Sequence, residues 1–223
     1  MIAREHIGSA VIPGGGELRL YKHGRDFVIG LSGNELMSTR MSGSEQALAT
    51  MTFARLGERK APHVLIGGYG MGFTLRAALT LLPPEGRITV AELVPEIIAW
   101  ARGPMAELSA GCLDDSRVTL VEGDVVDIIA HGGSSYDAIL LDVDNGPDGL
   151  VRSANNRLYS ERGLRAARTA LRPGGVLAVW SAAGDRRFTA RLRGAGFSVD
   201  EVRVRARSGG KGPWHVIWFA RVP

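Results

Sequence analysis

Four glycines interrupt an apolar run at residues 64–72, Val-Leu-Ile-Gly-Gly-Tyr-Gly-Met-Gly, and Phe73-Thr74-Leu75-Arg76-Ala77-Ala78-Leu79 continues with helical patterning. Glycines at 68, 70 and 72 let backbone approach a ligand where a Cβ would collide, and the helix start behind them offers unpaired N–H groups to a polar or anionic group. Beyond them Ile88-Thr89-Val90-Ala91-Glu92 reads as a strand ending in a carboxylate, placed to accept hydrogen bonds from ribose hydroxyls. The chemistry implied is capture of an adenosine-containing cofactor. The competing reading is a glycine turn that only lets a helix pack closely on its strand. Two further carboxylates, Asp142 and Asp144, follow the apolar run Ala138–Leu141. In extended chain, residues two apart point the same way, so both could face one site. Their repulsion would then raise one pKa unless a cation lies between them. Asp144 and Asn145 could instead form only a turn with Gly146.

These residues need a frame that brings strand ends together. Period-two runs separated by glycine turns in residues 1–35 predict antiparallel hairpins, and Met37 to Leu56 reads as a helix with Ser44 as its N-cap. From Pro62 onward strands and helices alternate. Strands are expected at His63–Ile66, Arg87–Ala91, Val118–Val121, Ala138–Leu141, Val176–Trp180, Ser198–Arg205 and His215–Ala220. Helices are expected at Phe73–Leu82, Pro95–Met105, Val125–His131, Ser160–Leu171 and Asp185–Gly194. Such alternation implies an α/β fold, a doubly wound seven-stranded Rossmann-like sheet with helices on both faces and a small N-terminal β extension. The last two strands lack a helix between them, so one should run antiparallel. The expected division is 1–45 as a β extension, serving as lid or dimer arm, and 46–223 as the cofactor-binding domain.

Composition limits the alternatives. With 45% hydrophobic and 22% charged residues in 223, the chain is expected to be globular, and no apolar run approaches the ~18–20 residues that span a bilayer. The N-terminus lacks the apolar core of a secretion signal, so a cytoplasmic location is expected. Cys112 is the only cysteine, which rules out an internal disulfide or cysteine cluster, and the histidines lack metal-ligand spacing, so no metal is expected. Residues 1–151 hold 12 basic and 19 acidic side chains, about −7, while residues 152–223 hold 15 and 4, about +11. That basic end lacks interleaved aromatics, which argues against a nucleic-acid surface.

The glycine loop Gly67-Gly68-Tyr69-Gly70-Met71-Gly72 resembles the first motif of class I S-adenosylmethionine-dependent transferases. Ala91-Glu92-Leu93-Val94-Pro95-Glu96-Ile97-Ile98 resembles the second, Val121-Glu122-Gly123-Asp124-Val125 the third and Tyr136-Asp137-Ala138-Ile139-Leu140-Leu141-Asp142 the fourth. Leu171-Arg172-Pro173-Gly174-Gly175-Val176-Leu177 is similar to the turn before the fifth strand. Within that superfamily the chain is most similar to spermidine synthase and its relatives, through the β-rich N-terminal piece, the Gly-Gly-x-Gly-x-Gly loop and Leu158-Tyr159-Ser160. The resemblance implies S-adenosylmethionine or its decarboxylated form as cofactor. Gly68, Gly70 and Gly72 would line its methionine and ribose part, with Gly67, Tyr69, Leu93 and Val125 in the same shell. Glu92 would hold the ribose hydroxyls, Asp124 would accept from the adenine amino group, and Gly123 would give the base room. Asp142 would face the cofactor amine and the reacting centre. A homodimer is implied by the resemblance alone.

Departures from that family point elsewhere. Aminopropyltransferases carry Asp-x-x-Asp-Pro after the fourth strand, whereas Asp142-Val143-Asp144-Asn145-Gly146-Pro147 brings the second carboxylate one residue early. An ungapped comparison puts Glu45 where the family has a tyrosine, Ala47 where it has a glutamate, and Val94 where it has an aspartate. The expected reaction is therefore S-adenosylmethionine-dependent methyl transfer to a small molecule. Aminopropyl transfer from decarboxylated S-adenosylmethionine is the alternative, and a non-catalytic cofactor-binding protein is the third reading. A nicotinamide dehydrogenase fits the later motifs less well. Asp142, Asp144 and Tyr159 are the catalytic candidates; Tyr159 would cover the acceptor unless it is a core residue. Tyr69 would shield the cofactor, shape the acceptor pocket or lie on the surface. Arg152, Asn155, Asn156 and Arg157 would bind an anionic group or form a solvated loop. His63 reads as structural, and His215 reaches the site only if its strand end lies there.

Overall fold

The computed structural model describes residues 4–143 and 157–223. Strands β1 (Glu5–Val11), β2 (Glu17–His23), β3 (Asp26–Leu31) and β4 (Asn34–Ser38) form an antiparallel meander in sequence order. Helix α1 (Gly43–Leu56) leads to β5 (His63–Gly67), α2 (Phe73–Leu81) and β6 (Arg87–Glu92). Next come α3 (Pro95–Arg102), α4 (Ala106–Ser109), a 3-10 turn at Cys112–Asp114, β7 (Val118–Glu122), α5 (Val125–His131) and β8 (Tyr136–Leu141). The chain closes with α6 (Glu161–Ala170), β9 (Leu171–Ser181), α7 (Arg186–Gly194), β10 (Ser198–Arg207) and β11 (Lys211–Arg221).

The second sheet has the order β10-β11-β9-β8-β5-β6-β7. Strand β11 pairs antiparallel with both β9 and β10, while β9, β8, β5, β6 and β7 run parallel. The expected seven-stranded doubly wound sheet with one reversed strand is therefore present. The central strands β5, β8 and β9 are apolar on both faces because each face is covered. Val64, Ile66, Val90, Leu140 and Ala178 join one core with Leu48, Leu75 and Ile98 of α1, α2 and α3. Leu65, Ile139, Leu141, Leu177 and Trp218 join the other with Ile129, Leu164 and Phe188 of α5, α6 and α7. Apolar burial on both sides is what a parallel sheet requires. The meander shares the first core through Ile12, Leu18, Leu20 and Ile29, so it packs on the larger sheet's helices.

The helix expected from Met37 begins later. Met37 and Ser38 pair with Ile29 and Val28 of β3, and α1 starts at Gly43 with Ser42, rather than Ser44, at its cap. Strand pairing overrides local helix propensity there, and it leaves Ser44 buried inside the first turn. Helix caps elsewhere follow the sequence. Asp124, Ser160 and Asp185 each accept a first-turn backbone N–H, from Val126, Gly163 and Arg187.

At the amino ends of the parallel strands, Asp137 is 2% exposed. Its carboxylate pairs with the Arg59 guanidinium and accepts from Arg172 Nη1 at 2.6 Å and His63 N at 2.7 Å. His63 itself bonds Ser135 O and Thr89 Oγ1, and burial pushes its imidazole down to about 4. This polar knot fastens β5, β8 and β9 at the end opposite the carboxyl-terminal edge. His63 is structural, as the sequence indicates.

Candidate active site

The strand order reverses at β5, which lies between β6 and β8. Open α/β sheets leave a crevice at such a point, beyond the carboxyl ends of the strands. A cavity of about 170 Å³ occupies it, lined by the β5–α2 turn, the ends of β6, β7 and β8, the first turn of α1, and Ile12, Leu18, Leu36 and Met37 of the meander.

The β5–α2 turn is shaped by close approach. Gly68 has φ +86°, and a Cβ there would sit 2.5 Å from the main-chain oxygen of Asp142. Gly68 N donates to Ala91 O at 2.9 Å and Asp142 N to Gly67 O at 3.0 Å, which ties the ends of β5, β6 and β8 together. Glu92 is 5% exposed; its Oε2 accepts from Tyr69 N and its Oε1 from Val94 N, both at 2.9 Å. Burial pushes this carboxyl upward against the pull of those N–H groups. Asp124 caps α5 through Oδ1 and meets Arg157 Nη2 at 3.7 Å through Oδ2; Gly123 beside it has open space where a Cβ would point.

At the other end lies a second polar group. Asp142 Oδ2 accepts from Thr74 Oγ1 at 2.9 Å, and that hydroxyl is 3.4 Å from the main-chain oxygen of Glu45. Ser44 Oγ donates to Glu45 Oε2 at 2.7 Å and lies 2.9 Å from His215 Nδ1. The His215 ring meets the edge of Trp180 at 4.8 Å. Burial pushes Glu45 up to about 8, with the charge of Asp142 adding to it, and Asp142 up to about 6. The pair thus tends to hold a proton until a cation arrives. Trp180 Nε1 is buried with no hydrogen-bond partner among the described residues.

Most of the expected site residues converge. Gly68, Tyr69, Gly70, Glu92, Leu93, Gly123, Asp124, Val125 and Asp142 all line the cavity. Others do not. Gly67 packs under the turn, where a Cβ would meet Val125 Cγ2 at 2.9 Å. Gly72 sits behind Tyr69 with φ +77° and starts α2. Tyr159 lies in the core on the other side of the sheet, edge-on to Phe188 at 5.5 Å, because Ser160 caps α6 and turns the preceding residue inward. The Tyr69 ring is buried rather than exposed; its hydroxyl donates to Ser109 Oγ at 3.0 Å. Asp144, Asn145, Gly146, Pro147, Arg152, Asn155 and Asn156 lie outside the described residues.

Sequence reasoning missed Thr74 and Trp180, and it placed Glu45 only as a mismatch. His215 reaches the site because β11 is reversed. Its pairing with β9 begins at Val216 opposite Ser181, so His215 stands just past the carboxyl edge. The one usable signal was the antiparallel last strand, which brings a strand's beginning to the site's edge.

The arrangement fits an adenosyl ligand with a cationic tail. Glu92 and Asp124 both line the cavity, and the turn at Gly68 leaves no side chain in the way. Four carboxylates, Glu45, Glu92, Asp124 and Asp142, line the cavity, with no lysine or arginine among the described lining residues.

A model of the spermine/spermidine synthase domain matches residues 46–183. A polyamine aminopropyltransferase of Sulfolobus acidocaldarius is 31% identical over 115 residues, covering 52% of this chain and 37% of that protein. Polyamine aminopropyltransferase 2 of Streptomyces coelicolor is 34% identical over 166 residues, 70% of this chain and 29% of that protein. The matched segments span about a third of these curated relatives. Spermidine synthase from Thermotoga maritima superposes with a TM-score of 0.76 at 19% identity, over 98% of this chain and 73% of that one, a likeness of fold. The expectation of methyl transfer is thereby overturned: the relatives are named for aminopropyl transfer.

Proposed function

This chain belongs to the spermine/spermidine synthase domain family, and on that premise we propose that it transfers an aminopropyl group from decarboxylated S-adenosylmethionine to an amine. The observation that carries this reading is the charge of the cavity. A donor that kept its methionine carboxylate would need a cation to meet it, whereas a cavity lined by four acidic side chains, with no lysine or arginine among the described lining residues, suits a decarboxylated donor and a cationic acceptor.

The donor supplies an aminopropyl carbon already activated by a sulfonium, and methylthioadenosine is the leaving group. The protein's part is orientation and exclusion of water. In this reading Glu92 accepts from the ribose hydroxyls, Asp124 from the adenine amino group, and Asp142 from the primary ammonium of the aminopropyl chain. Thr74 holds the Asp142 carboxylate in place from the first turn of α2. The meander roofs the cavity with Ile12, Leu18, Leu36 and Met37, keeping water from the sulfonium.

Incubation with decarboxylated S-adenosylmethionine and linear diamines, followed by mass spectrometry, tests the proposal. Methylthioadenosine and an amine heavier by one aminopropyl unit are expected. Tighter calorimetric binding of intact S-adenosylmethionine than of its decarboxylated form, with no methylthioadenosine formed, would overturn it.

A further inference from the structure

We infer that Glu45 receives the attacking amine of the acceptor and takes its proton, with Ser44 and His215 as positioning residues behind it. The inference rests on the aminopropyl-transfer reading and goes beyond it, because that reading names no destination for the acceptor's proton among the described residues. Glu45 sits on the first turn of α1 and lines the cavity together with Asp142, Trp180 and His215. The Thr74 hydroxyl lies between Asp142 Oδ2 and the backbone of Glu45, which brings the two acidic residues to one corner. With Glu45 ionised, Ser44 gives its hydroxyl proton to Glu45 Oε2, and the contact at 2.9 Å to His215 is then made by a donating Nδ1–H. That hydrogen-bond order leaves Glu45 with lone pairs for a ligand and fixes the imidazole tautomer. The indole N–H of Trp180, buried and without a partner among the described residues, is a second polar atom at this end.

The division of labour follows from charge. Asp142 is committed to the donor's ammonium, so the acceptor needs a carboxylate of its own. In the step, the bound acceptor ammonium passes one proton to the Glu45 carboxylate, the lone pair so freed forms the C–N bond, the C–S bond breaks with its pair going to sulfur, and the product leaves as a secondary ammonium. The groups facing Glu45 are Asp142 from the end of β8, Thr74 from α2, Trp180 from β9, and Ser44 and His215 from α1 and β11. Burial and the nearby Asp142 charge raise the affinity of Glu45 for a proton, which suits a base working near neutrality.

Calorimetric titration of 1,4-diaminobutane into protein saturated with methylthioadenosine, in two buffers of different ionisation enthalpy, counts protons without requiring turnover. Near neutral pH the wild type should release close to one proton per amine bound. Glu45→Gln should release none and still bind methylthioadenosine normally. Under turnover, Glu45→Gln should lower kcat by about 10²-fold or more, Glu45→Asp should recover part of it, and the rise of kcat/KM with pH near 8 should vanish in Glu45→Gln. A folded Glu45→Gln with wild-type kcat and wild-type proton release overturns the inference while leaving the reaction standing. Glu45-dependent proton release with no amine ever aminopropylated supports Glu45 as the amine's receptor and sinks the reaction assignment instead. If Glu45→Gln fails to fold, the wild-type count decides, and the absence of proton release overturns the inference.

Discussion

Ser44 Oγ lies 2.9 Å from His215 Nδ1, a contact between residues 171 positions apart that joins the first turn of α1 to the start of β11. It spans the corner of the cavity occupied by Glu45, where the His215 ring also packs T-shaped against Trp180. Ser44→Ala removes the hydrogen bond to Glu45 and the partner of His215 together. The loss of a positioned charge-assisted hydrogen bond is worth about 1.5–3 kcal/mol. We expect kcat to fall roughly tenfold or more, with the KM for the donor unchanged because Glu92 and Asp124 are untouched. Steady-state kinetics against each substrate in turn checks this; a rise in the donor KM would place Ser44 in donor binding.

Glu92 is the most constrained carboxylate of the donor end, since both oxygens accept backbone N–H groups from Tyr69 and Val94. In Glu92→Gln one side-chain oxygen becomes an NH2 that opposes a backbone N–H, and the ribose loses an acceptor. Binding of methylthioadenosine should weaken by about 10²-fold, equivalent to ~3 kcal/mol. Titration calorimetry at one pH suffices, and unchanged affinity would remove Glu92 from the ribose.

Gly68 has φ +86°, and its missing Cβ would lie 2.5 Å from Asp142 O. Gly68→Ala must therefore move the Asp142 backbone or the turn. Thermal unfolding should come earlier by an amount equivalent to about 1–3 kcal/mol, and donor affinity should fall with it. Gly123→Ala, with no atom within 4 Å of its would-be Cβ, should leave the fold intact and affect only ligand binding.

Much of this was legible from residue types. The glycine turn demands a positive φ at Gly68 that few other residues accept, and strand-end carboxylates such as Glu92 have few structural uses. Asp124, expected only as a site residue, also caps α5 through Oδ1 while lining the cavity. What could not be read was set by distant pairing. Met37 belongs to β4 because β3 lies beside it, and helical patterning carries no record of β3. Tyr159 and His215 are each next to a turn or strand end, and only the sheet order decides that one enters the core and the other the cavity. Glu45 was visible as a mismatch; its pairing with Ser44 and His215 exists only in three dimensions.

Asp137 anchors the opposite edge of the sheet. Its buried carboxylate meets Arg59, Arg172 and the His63 backbone at once. Asp137→Asn leaves two guanidinium groups facing an amide, and breaking such a buried pair costs about 3–5 kcal/mol. Urea unfolding should show a lower midpoint with an unchanged m-value. Because the knot lies at the far end of the strands from the cavity, methylthioadenosine affinity of the folded fraction should be unaltered.

Glu45 should weaken the fold that it equips. Its carboxyl pKa is raised by burial from 4.5 to about 8, so the folded state prefers the protonated acid. Below about pH 4.5 both folded and unfolded chains are protonated and no penalty exists. Between that pH and about 8 the unfolded chain ionises freely while the folded chain resists, so stability declines as pH rises. The loss can reach about 5 kcal/mol at most, shared with Asp142. Glu45→Gln carries no such charge and should unfold at a higher temperature than wild type above pH 8, by about 2–4 °C per kcal/mol, with the difference shrinking toward pH 4.5. A diamine with methylthioadenosine should close the same gap in the wild type, because a bound cation lets Glu45 ionise without penalty. Thermal melts at a series of pH values, with and without those ligands, read both effects; a constant difference across pH would show that Glu45 does not titrate in the fold.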